Sequence, residues 1–83
     1  MDNEKIVSDK INTIGSNIRR IRKNQGIGQT ELVRKLQLID VEMTRECLVK
    51  IERGVQHIKL EQLRGIKKVL KVTYEEILDL YDE

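Results

Sequence analysis

The side chains best suited to chemistry lie between Thr44 and Arg53, where Arg45, Glu46, Lys50 and Arg53 recur within ten residues. The spacing fits one short helix. On a wheel at about 100° per residue, Arg45, Val49, Arg53, Glu46 and Lys50 share one continuous arc. Cys47, Leu48 and Ile51 form the opposite apolar stripe, with Glu52 at its edge. Arginine and lysine can donate to guanine O6 and N7, glutamate can accept from cytosine N4, and valine can touch a thymine methyl. An α-helix fits the major groove of B-DNA, so the arc is a candidate base-reading surface. An ordinary solvated helix face would carry the same residue types.

Other chemistry finds little support. His57 is the one histidine, and no pattern of Ser, Asp or Cys surrounds it. Cys47, the one cysteine, excludes an intramolecular disulfide and a cysteine-built zinc site. It is expected to act as a small buried hydrophobe, and as a redox sensor only if it is exposed close to Arg45 or Lys50. No glycine-rich phosphate loop and no cluster of metal ligands is present. The expectation is a non-enzyme with no catalytic residue, metal, cofactor or small-molecule ligand. No apolar run approaches the ~20 residues of a bilayer span, and the chain opens with polar, acidic Met1–Glu4. A cytoplasmic protein without a membrane partner is expected.

The net charge of +2 is unevenly placed. Residues 15–71 carry fourteen Lys/Arg against six acids, whereas residues 72–83 carry five acids and no base. A basic body with an acidic end suits an anionic polymer, with the end pointing away from it.

Eighty-three residues allow one small domain, near the size at which a single core folds unaided. With 39% hydrophobic and 36% charged residues and no Pro, Phe or Trp, the composition predicts helices around a Leu/Ile/Val core. Val7, Ile11, Ile14, Ile18 and Ile21 recur at spacings of four and three, a one-faced helical stripe. One helix could run from Asn3 to Asn24, with Gly15 tolerated at about 1 kcal/mol. The alternative starts it near Thr13 and leaves residues 1–13 as an arm. Gly26 supplies the stop. A second helix is predicted from Gln29 to Leu38, with Gly28 where a capping side chain would be expected. Gln37 to Met43 is unusually apolar for a connection, with Ile39 or Val41 tucked against the core. Thr44 caps the third helix and Gly54 ends it. The fourth, Leu60 to Leu70, is expected to bury Leu60, Leu63, Ile66, Val69 and Leu70. Thr73 and Glu76 form a capping box opening a fifth, whose apolar side holds Ile77, Leu78 and Leu80, with Tyr74 and Tyr81 flanking it.

The order of these blocks carries a family resemblance. IGSNIRRIRKNQGIGQTEL, TRECLVKIERG and LEQLRGIKKVLKVTYEEIL together resemble the phage-repressor/Cro type of helix-turn-helix regulator, the XRE-like family. The resemblance covers about Ile14 to Leu80. It implies an all-α, five-helix, lambda-repressor-like DNA-binding domain over residues 14–81, followed by an acidic end at 82–83. It also implies a small transcriptional regulator, a repressor, acting as a homodimer on a palindromic double-stranded operator. By the same resemblance Arg45, Glu46, Val49 and Lys50 read bases, and Gln29, Thr30 and Arg53 hold phosphates. Arg22 and Glu52 match a buried ion pair between the first and third helices. The chain departs from the family in the connection after the second helix, about five residues longer than usual. A helix-turn-helix reused for protein contacts, docking through Leu38, Ile39 and Val41, is the alternative.

Overall fold

Gly15 decides how closely the first helix can approach the third. The computed structural model describes residues 2–78, with side chains from residue 13 onward. Here α1 spans Asp2–Asn24, the earlier of the two possible starts, and α3 spans Arg45–Glu52. A Cβ on Gly15 would run into the carbonyl oxygen of Ile51 and lie 3.1 Å from Glu52 Cα. The glycine in the middle of the helix is therefore a backbone contact point, which a local propensity argument undervalues.

Among the described residues the fold is all-helical, with α2 at Gln29–Leu38, α4 at Leu60–Leu70 and α5 at Tyr74–Leu78. The packed pairs are α1 with α3 and α5, and α2 with α3 and α4. Each helix buries one stripe, as the 3.6-residue period requires. Ile18 and Ile21 of α1, Leu32, Val33 and Leu36 of α2, Leu48 and Ile51 of α3, Ile66 and Leu70 of α4, and Ile77 of α5 meet in one core. Val7, Ile11, Leu80 and Tyr81 lie outside the residues whose side chains are described. No helix among the described residues is long and apolar enough to cross a membrane.

Helix ends explain much of the chain's path. α1 and α3 finish the same way, with Gly26 (φ 71°) and Gly54 (φ 78°) in the left-handed region. The following amides reach back to close each end: Ile27 N–H to Arg22 O at 3.1 Å, and Val55 N–H to Lys50 O at 3.0 Å. α2 ends by the same motif without a glycine. Asp40 takes φ 63°, Asp40 N–H donates to Gln37 O at 3.0 Å, and Val41 N–H donates to Leu36 O at 2.9 Å. Aspartate is among the few residues that enter this conformation readily. The motif brings Val41 onto Leu36, and both lie against Gly65 of α4, where a Cβ would come within 3.0 Å of each. Val41 is thus the tucked residue, and Ile39 is exposed.

One burial expectation fails. Leu60 is 62% exposed, because it opens α4 ahead of the core. The inner face near that end goes to Gln62 and Gly65 instead, while Leu63 and Val69 are half-buried. Gln62 accepts from Lys59 N–H at 2.9 Å and donates to Glu42 O at 3.3 Å, fastening α4 to both flanking connections.

Candidate nucleic-acid interface

α3 is held from behind and bare in front. Its start is fixed by Thr44, whose Oγ1 accepts the Cys47 N–H at 3.0 Å. Leu48, Ile51 and Glu52 are buried on the inner side, while Arg45, Glu46, Lys50 and Arg53 are exposed on the other. Val49 is half-buried rather than on the open arc, and Cys47 is half-buried rather than inside. The reason is the shortness of the helix. At eight residues its flanks sit against neighbours on both sides, so the boundary of the buried stripe falls between wheel positions.

The back of α3 carries a charged clamp. Arg22 Nε donates to Glu52 Oε2 at 2.8 Å and Arg22 Nη2 to Glu52 Oε1 at 3.0 Å, a two-pronged pair with both side chains buried. Arg22 Nη1 also donates to Ile27 O at 2.8 Å, so the guanidinium ties α1, the following turn and α3 together. The fork geometry of arginine makes this possible, and lysine could not copy it. Gln29, at the start of α2, donates from Nε2 to Glu52 Oε1 at 3.0 Å. Its side chain is therefore positioned by the clamp, with one of its two amide hydrogens left over. Thr30 beside it is exposed.

Cys47 has amide neighbours, since Gln56 Nε2 donates to its Sγ at 3.0 Å and Gln62 Nε2 lies 3.8 Å away. Neither Arg45 nor Lys50 is recorded in contact with the sulfur. Gln62 was not foreseen as a site-building residue. A glutamine three positions after the start of a helix is half of a capping box, which is the signal that could have found it. Asn17 and Gln25 were also missed. Asn17 Nδ2 donates to Ile77 O at 3.0 Å and Gln25 Nε2 to Leu70 O at 2.8 Å, so α1 satisfies carbonyls at the ends of α5 and α4. Nothing in local periodicity marks such partners.

Four exposed polar residues on one rigid helix can offer four hydrogen-bonding tips at fixed spacing, three of them cationic. Among the described residues no group of three His, Cys, Asp or Glu side chains is placed to hold a metal. Comparisons with protein-family models, with curated proteins and with solved structures return no match.

Proposed function

We propose that this chain is a sequence-specific double-stranded-DNA-binding protein of the phage-repressor/Cro type, a small repressor acting as a homodimer on a palindromic operator. In this reading α2 and α3 form the helix-turn-helix unit and α3 enters the major groove. Arg45, Glu46 and Lys50 reach base edges, with Val49 at the margin. Gln29, Thr30 and Arg53 meet phosphates. The observation that carries the reading is the asymmetry of α3: its polar arc has no intrachain partner, yet the helix beneath it is locked by Glu52 and Arg22. A base-reading helix needs that combination, because direct readout depends on tips held at fixed positions.

Selection of bound sequences from random duplex DNA tests the proposal. A two-fold symmetric site with half-sites about one helical turn apart is expected. Affinity should fall steeply with salt, because phosphate contacts release counterions. Recovery of unselected sequence, or binding indifferent to salt, would refute it. A second reading has one observation in its favour: Leu38 is 78% exposed and adjoins exposed Ile39. Docking of a partner protein through those residues would leave the salt dependence shallow and would be abolished by Leu38→Glu.

A further inference from the structure

A groove runs between the outer face of α4 and the connection after α2, away from the arc of α3. Ile39 and Val41 line one side and Tyr74 lines one end. Arg64 and Lys68, one helical turn apart on α4, are exposed along it, with Glu61 the one acid in the lining. Lys67 Nζ lies 5.1 Å from the centre of the Tyr74 ring, which braces the aromatic end. The one ion pair among the described residues is Arg22–Glu52, so the described chain gives Arg64 and Lys68 no carboxylate. An acidic segment with apolar side chains would fit such a groove. The chain contains one at residues 79–83, Asp-Leu-Tyr-Asp-Glu, with three acids around Leu80 and Tyr81.

We propose that residues 79–83 of a second copy of this chain occupy the groove, and that the exchange is reciprocal. A chain's own segment is the poorer occupant. The last turn of α5 sits on α1, where Ile77 O accepts from Asn17, whereas Tyr74 at its other end is the α5 residue at the groove. Five residues reach at most about 17 Å. Returning past α5 would take about 6 Å of that before the groove began. A two-fold arrangement has no such detour, and the same patch serves both partners. Each exchange is small, but once one has formed the second is intramolecular and is favoured by the raised local concentration. The proposal concerns the free protein and stands apart from DNA binding.

Charge reversal tests it, with mass read by sedimentation equilibrium in the absence of DNA. One variant carries Arg64→Glu and Lys68→Glu, and the other carries Asp79→Lys, Asp82→Lys and Glu83→Lys. The parent should reach twice the 9.7 kDa chain mass as concentration rises. Each variant alone should stay at one chain mass, since groove and segment then carry like charge. An equimolar mixture should regain the doubled mass, because each groove then meets an oppositely charged segment. Arg64 and Lys68 are exposed, and a helical spectrum with a parent-like melting point checks that the fold is kept. A chain ending at residue 78 should also be monomeric. A monomeric parent, variants that dimerise alone, or a mixture that does not would each overturn the proposal.

Discussion

The two sides of α3 differ more than any other two regions of the molecule. Behind the helix, a close backbone approach at Gly15, a buried ion pair and four apolar neighbours leave little freedom. In front, four charged side chains have no partner within the described chain. The lesson is a division of labour. Changes behind should appear in stability whatever the chain binds. Changes in front should leave stability nearly untouched and appear only in recognition.

Glu52→Ala should have the largest effect, about 3–5 kcal/mol of destabilisation by chemical denaturation, because it strands a buried guanidinium. A variant that melts like the parent would dissolve the comparison. Gly15→Ala comes next, at about 1–3 kcal/mol, since the added methyl must push α1 away from Ile51. If the two helices separate rather than the fold loosening, the DNA preference of this variant should change more than its melting point. Thr44→Ala should cost ~1 kcal/mol through the lost cap, with Thr44→Ser restoring most of it. Lys50→Ala should alter stability by no more than about 0.5 kcal/mol. On DNA it should relax preference at one base position by about 1–3 kcal/mol, whereas Arg53→Ala should weaken all sequences alike. Equal, sequence-independent losses from both would remove the distinction between base reading and phosphate holding.

Most of what lay within one or two turns of a helix was legible in the sequence. Gly26, Gly54, Thr44 and the Thr73–Glu76 pair mark four helix ends, and each makes the local bond its residue type predicts. The isoleucine spacing locates the buried side of α1. The polar arc of α3 was legible except at Val49, whose burial depends on neighbours that a wheel does not include. What escaped were effects of one helix on another. Gly15 reads as a mild defect until α3 is laid across it. Leu60 reads as core until α4 is seen to begin outside it. Asp40 hides a left-handed turn because aspartate signals that conformation far less strongly than glycine. The lengthened connection after α2 proved ordered by that turn, with Val41 as its anchor.

The hydrogen bonds from Asn17 and Gln25 bear on how the protein is made. They join residues 60 and 45 positions apart in the sequence. At about 5–20 residues per second, roughly 3–12 seconds pass on the ribosome between the synthesis of Asn17 and that of its acceptor. Through that interval the side of α1 that α5 covers stays bare. Long-range closure of this kind also slows folding, because the loop must be ordered before the contact rewards it. A chain broken off before Ile77 would carry α1 half-sheltered, as a substrate for chaperones and proteases rather than a smaller working domain.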